Sequence, residues 1–279
     1  MGTWLLVALV ACGDPSELVE EALAPPPPRE GPGVLHVDFP VVPLEAEPGQ
    51  RVLAPTQEAV ERAMREGDGA IVFYGGTLRS VDEAQASVRS EAGTSTVPNA
   101  AIIELPAEVE VEAGEVVLGA WDHGSGLHRA LVLEGGTAPR VRYLDRREQV
   151  ATWVKGSFRA VRQPFDPGSA VACGTGRRRH ALVVRRQGQR LLLSGFAGKL
   201  IAADVSDCDA VPIHPEVEKG DVVWVPKIGR YVQGEVVAVD EGRVSVRTTW
   251  GGRSTVDAYP MLDVAKGWSS HEAGAPTVP

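Results

Sequence analysis

The chain repeats itself. Residues 81–97 read VDEAQASVRSEAGTSTV, and residues 239–256 read VDEGRVSVRTTWGGRSTV, one residue longer. Self-similarity of this kind points to an array of small units, each too small to bury a face without its neighbours, instead of one continuous core. The fullest copy, residues 220–264, starts with a glycine and then alternates apolar and polar residues in short runs divided by Gly-rich turns. That is the pattern of antiparallel hairpins, in which side chains point to opposite faces at every second residue.

Three further copies align with it. Each opens with a glycine followed three residues later by a valine: Gly49 and Val52, Gly114 and Val117, Gly168 and Val171, Gly220 and Val223. A second strand begins at a small residue and turns an aliphatic inward two positions on, at Gly76 and Leu78, Ala130 and Val132, Ala181 and Val183, Gly234 and Val236. Third strands follow at 86–88, 141–143, 191–193 and 244–246, and each unit closes on a short apolar run such as 101–105 or 261–264. About five short strands in roughly 50 residues bury a face only by curling into a small barrel. In the first unit residues 56–66 interrupt the strands with a helix pattern. Thr56 can cap it, Ala59, Val60, Ala63 and Met64 form one apolar face, and Gly67 ends it. Gly (31) and Pro (21) are abundant and aromatics are only 5% of the chain, which suits short strands and many turns. The expected class is all-β: four tandem small β-barrels, with one helical insertion in the first.

The formal net charge of −9 is concentrated outside these units, because residues 13–48 hold eight acidic residues against Arg29. The repeats are closer to neutral, so no basic surplus argues for nucleic acid. The same segment contains four consecutive prolines, Pro25 to Pro28, and reads as an extended tether at about 3.1 Å per residue where polyproline II forms. Residues 34–44 within it carry enough apolar side chains to add an edge strand to a neighbouring barrel.

At the amino terminus, an apolar run from Trp4 to Ala11 ends in Leu9, Val10, Ala11 and Cys12. The run is too short to span a bilayer and suits a signal-peptide core. The four residues resemble the lipobox of bacterial lipoproteins, which implies a diacylglycerol thioether on Cys12 and a membrane anchor in the cell envelope, with Gly13 resembling lipoproteins sorted to the outer membrane. The opening Gly and Val, then Trp121, Ala130 and the strand Val141, Arg142, Tyr143, Leu144, Asp145 resemble Tudor-like and Agenet-like modules of the SH3-like barrel class. The likeness runs from Gly49 to Val264. The implied organisation is a signal segment at 1–12, a tether at 13–48, SH3-like units at 49–106, 114–164 (the Tudor-like one), 168–213 and 220–266, and a disordered tail at 267–279.

Tudor modules hold methylated Lys or Arg in an aromatic cage, so the resemblance implies Trp121, Tyr143 and Asp145 as candidate binding residues. Packing within the barrel is the alternative for these rings, as it is for Trp224, Tyr231 and Trp250 in the fourth unit. The third unit carries Arg177, Arg178 and Arg179, whose forks suit phosphate or carboxylate; a solvated charged loop is the plainer account. With Cys12 taken by lipid, Cys173 and Cys208 remain, on the first and last strands of that unit. Terminal strands of SH3-like barrels run close together, which implies a disulfide in an oxidising envelope, two separate buried thiols being the alternative. The six histidines are scattered, and no catalytic or nucleotide-binding motif is present. No catalytic residue, metal or cofactor is assigned. The expected function is a non-catalytic lipoprotein that binds a protein, a peptide or an anionic envelope polymer, ahead of a structural spacer and, last, an enzyme.

Overall fold

The computed structural model describes residues 31–67, 69–120, 124–145, 149–174 and 177–268. The fold is all-β with a single α-helix among these residues, and it repeats one strand order four times. In the first unit β1 (Arg51–Pro55), β2 (Phe73–Val81), β3 (Gln85–Ser90) and β4 (Gly93–Pro98) form successive hairpins, and β5 (Ile103–Glu104) returns to pair with β1. The second unit repeats this with β6 (Val116–Gly119), β7 (His128–Glu134), β8 (Arg140–Tyr143), β9 (Val150–Thr152) and β10 (Phe158–Val161). In the third, β11 (Ala170–Cys173), β12 (Arg179–Gln187), β13 (Arg190–Ser194) and β14 (Leu200–Asp204) are closed by β15 (Cys208–Ala210). In the fourth, β16 (Val222–Lys227), β17 (Arg230–Asp240), β18 (Arg243–Trp250) and β19 (Arg253–Pro260) are closed by β20 (Ala265–Lys266).

Two details of the repeat explain its sequence signature. The opening glycines Gly49, Gly114, Gly168 and Gly220 all have φ between 93° and 96°, a region closed to most side chains. There each N–H donates to the carbonyl of Leu78, Val132, Val183 or Val236, at 2.8 Å in every unit. Immediately after that same residue the second strand carries a β-bulge, at Arg79, Leu133, Val184 and Val237. A bulge bends the strand and re-aims one side chain.

The helix α1 (Gln57–Glu66) begins where the Thr56 hydroxyl accepts from the Ala59 N–H and ends at Gly67 in the left-handed region. Ala59, Val60 and Ala63 form its buried face.

The second, third and fourth sheets each enclose a small cluster, built on Val117 and Phe158, on Val171 and Leu193, and on Val225 and Val246. The largest cluster belongs to no single unit. It joins Leu53, Phe73 and Ile103 of the first sheet to Leu118 and Leu144 of the second, Val184 and Leu192 of the third, and Leu262 of the fourth. Arginines reinforce the join. Arg159 of the second sheet and Arg185 of the third both reach the end of β5, donating to the carbonyls of Glu104 at 3.2 Å and Ile102 at 2.8 Å.

Residues 31–48 of the expected tether do not stand off the body. From residue 31 onward the chain lies against the body, with Leu35, Phe39, Val42, Leu44 and Ala46 buried in the shared cluster. It is a strap with near period-two burial but no ladder, since Pro40 and Pro43 lack the N–H groups a ladder needs. The Arg190 guanidinium donates to the Asp38 carbonyl, and the Glu45 N–H donates to Glu104 Oε1 at 3.1 Å. The polyproline run lies outside the described residues. Trp268, expected in the tail, packs on Tyr231 with ring centroids 5.0 Å apart, and residues 269–279 lie outside the described residues.

Candidate functional site

Alternation along a strand decides which of the three adjacent arginines can meet a ligand. Arg177 and Arg179 are exposed on one side, while Arg178 points the other way and is buried. Its guanidinium lies 4.4 Å from the centroid of the Trp268 ring and 2.5 Å from Asp209 Oδ2, an ion contact without hydrogen-bond alignment. Arg178 therefore leaves the candidate set: it fastens the third unit to the fourth. A residue from another unit replaces it. Arg230, at the start of β17, stands directly across from Arg179, through the bridge that joins the two sheets.

Arg177, Arg179 and Arg230 line a cleft of about 580 Å³, floored by Ile201, Ala202 and Ala203. One acid, Asp207, lies in its wall, and none of the three arginine side chains has a hydrogen bond or ion pair among the described residues. Like charges directly opposite on neighbouring strands oppose folding. The mouth is fixed by the bond between Cys173 and Cys208, whose Sγ atoms are 2.05 Å apart, on strands paired at those very residues. The Gly174 N–H then donates to the Asp207 carbonyl at 3.0 Å, holding the loop that carries Arg177. Arginine forks around an open cavity of this size can hold a phosphate or carboxylate group through paired, charge-assisted hydrogen bonds.

The aromatic residues are arranged otherwise. Tyr143 sits inside the second sheet, 2% exposed, where it accepts from Trp153 Nε1 at 2.9 Å and meets the Trp153 ring at 5.7 Å. Asp145 accepts instead from the Arg129 backbone N–H and guanidinium. The two do not form walls of one open cage, because period-two burial sends Tyr143 into the core. Trp121 lies outside the described residues. Trp224 and Tyr231 pack with Trp268 between the third and fourth units, and Trp250 is exposed at the far end of β18.

Asp145 instead stands at the exposed edge of a charge cluster where three units meet, whose centre, Arg129 and Asp263, is buried. Arg129 of β7 donates to Asp145 Oδ1 at 2.5 Å and to both oxygens of Asp263, at 2.6 and 2.8 Å. Asp263 comes from the fourth unit, and His180 of the third stands 3.3 Å from its Oδ1. Burial alone would raise the Asp263 carboxyl, yet the Arg129 guanidinium and then His180 hold it well below the usual carboxylate range. Burial likewise acts to lower Arg129, and the two carboxylates overcome it and raise its value. Burial, then the Asp263 charge, push the Tyr231 hydroxyl well above its ordinary value. The cluster ties units together and lines neither the arginine cleft nor the cleft between the first two units, and its role is structural.

No protein-family model matches the chain, and no curated protein matches it by sequence. None of the described helices is long and apolar enough to cross a membrane.

Proposed function

We propose that the protein is a non-catalytic binding protein of the bacterial envelope, held to a membrane by lipid on Cys12, and that its four repeats are SH3-like barrels of Tudor-like type. Its ligand is an anionic polymer bearing phosphate or carboxylate groups, gripped by Arg177, Arg179 and Arg230. The observation that carries this reading is the Arg179 and Arg230 pair, two like charges set face to face in an open cleft with only Asp207 beside them. A solvated surface face has no need of that arrangement. The repeated strand order, with the last strand returning to the first, supports the barrel reading.

Fluorescence anisotropy with a labelled polyphosphate should show saturable binding that weakens with salt, since exposed charges are screened beyond about 8–10 Å at physiological ionic strength. Replacing Arg179 and Arg230 together by alanine should reduce affinity about tenfold or more, each charge-assisted contact being worth roughly 1.5–3 kcal/mol. No saturable binding to polyphosphate or polygalacturonate would favour the spacer reading. The anchor has its own test: incorporated radiolabelled palmitate should be lost in Cys12→Ala, and equal labelling of both chains would overturn the lipid assignment.

A further inference from the structure

A second basic cleft lies between the first and second units, with a cavity volume of about 410 Å³. Its basic wall is the outer face of the first sheet. The register sets Arg51 of β1 opposite Thr77 of β2, and Thr77 opposite Arg89 of β3. The three side chains therefore form one cross-strand row. Opposite Cβ atoms are about 5 Å apart, so the two arginines flank Thr77 at roughly 10 Å, within reach of one shared anion. Arg79 joins them from the bulge in β2, and all four residues line the cleft.

The other repeats act as internal controls for this row. At the same positions the second unit has Val116, Leu131 and Arg142, the third has Ala170, Leu182 and Ser194, and the fourth has Val222, Glu235 and Arg247. Where an arginine occurs there, it is neutralised: Arg142 meets Glu241 at 2.5 Å and Arg247 meets Glu235 at 3.1 Å. At the bulge the other units carry Leu133, Val184 and Val237, all apolar. Only the first unit places three arginines on this surface, and none of their side chains has a hydrogen bond or ion pair among the described residues. The rim holds one acid, Glu91, which has an interaction of its own. The cleft is shaped by close contact between units, since a Cβ on Gly75 would stand 2.6 Å from the Ala120 Cβ of the second unit. The Tyr74 side chain adds part of the wall.

We infer that this is a second anion-binding site, for a phosphate- or carboxylate-bearing ligand held between Arg51 and Arg89 with Thr77 between them and Arg79 at the bulge. The inference is independent of the third-sheet cleft. The test is a titration of the ¹⁵N-labelled full chain with inorganic tripolyphosphate, repeated with trigalacturonate, following backbone amide shifts. Either probe should move the amides of Gly75, Gly76 and Thr77 in a saturable way. The double variant Arg51→Ala, Arg89→Ala should weaken that response about tenfold or more while leaving any response at Arg179 and Arg230 in place. Both side chains are exposed, so the variant's remaining spectrum should match the parent and show that it is folded. No shift at Gly75–Thr77 with either probe, or an undiminished shift in the folded variant, would overturn the inference.

Discussion

Replacing Arg129 by methionine should cost the protein about 3–5 kcal/mol of stability, the range expected when one partner of a buried ion pair is removed. The loss is large because the guanidinium is bonded to carboxylates from two units, and Asp263 is only 4% exposed without it being able to reach water. Methionine fills similar volume, so the effect is one of charge and not of a cavity. The double variant Arg129→Met, Asp263→Leu should recover much of the loss, since apolar replacements of a buried pair are often neutral. Urea unfolding of the three chains would measure this, and equal midpoints for parent and single variant would refute it.

The pH dependence should change sign between the two chains. In the parent, the folded Asp263 carboxyl lies below its unfolded value, so its contribution is fully present above the ordinary carboxylate value near 4 and is lost as pH falls further. In Arg129→Met the burial that Arg129 had overcome pushes the stranded carboxyl up instead. That chain should gain stability as pH falls from 7 towards 4, a range over which Asp263 adds no slope in the parent.

Reducing the Cys173–Cys208 bond should cost about 4 kcal/mol in the chain-entropy account, given the separation of 35 residues. The third unit has a small core of its own, and the bond ties its first strand to its last. Unfolding midpoints with and without reductant would test this, and the variant Cys173→Ala, Cys208→Ala should match the reduced parent. The polymer affinity should fall as well, because the bond fixes the loop that carries Arg177. Identical midpoints in all three would show that the bond bears no load.

Much of the strand order was legible because it rests on local signals. The opening glycines, the inward valines and the small residues at the start of each second strand are dictated by backbone conformation and by burial at every second residue, and both leave a fixed spacing in the chain. The helix 57–66 was legible for the same reason, through Thr56 and Gly67. The site was legible only in part. Arg177 and Arg179 stood out as a run, but nothing local reports that Arg178 turns inward beneath Trp268, or that Arg230 arrives from the next unit. The strap shows the same limit. Its prolines and acidic residues suggest a solvated segment, whereas Leu35 and Phe39 are buried in a cluster to which all four units contribute. Tyr143 was selected by likeness to a cage motif, and strand alternation, which placed the valines correctly, also places this ring in the core.

The strap has a mechanical consequence. A pull exerted on the chain upstream of residue 31 does not reach β1 directly. It first meets Gly33 packed on Ala84 of the first unit, then Leu35, Phe39 and Val42 in the shared cluster and the grip of Arg190 on Asp38, so the load is divided between the first and third units before it reaches β1. With no ladder to shear, the strap would give way by peeling, one side chain at a time, and would lengthen the line while the sheets behind it stay paired. In the lipid-anchored protein proposed above, the segment would act as a shock absorber between the anchor and the arginine-lined clefts.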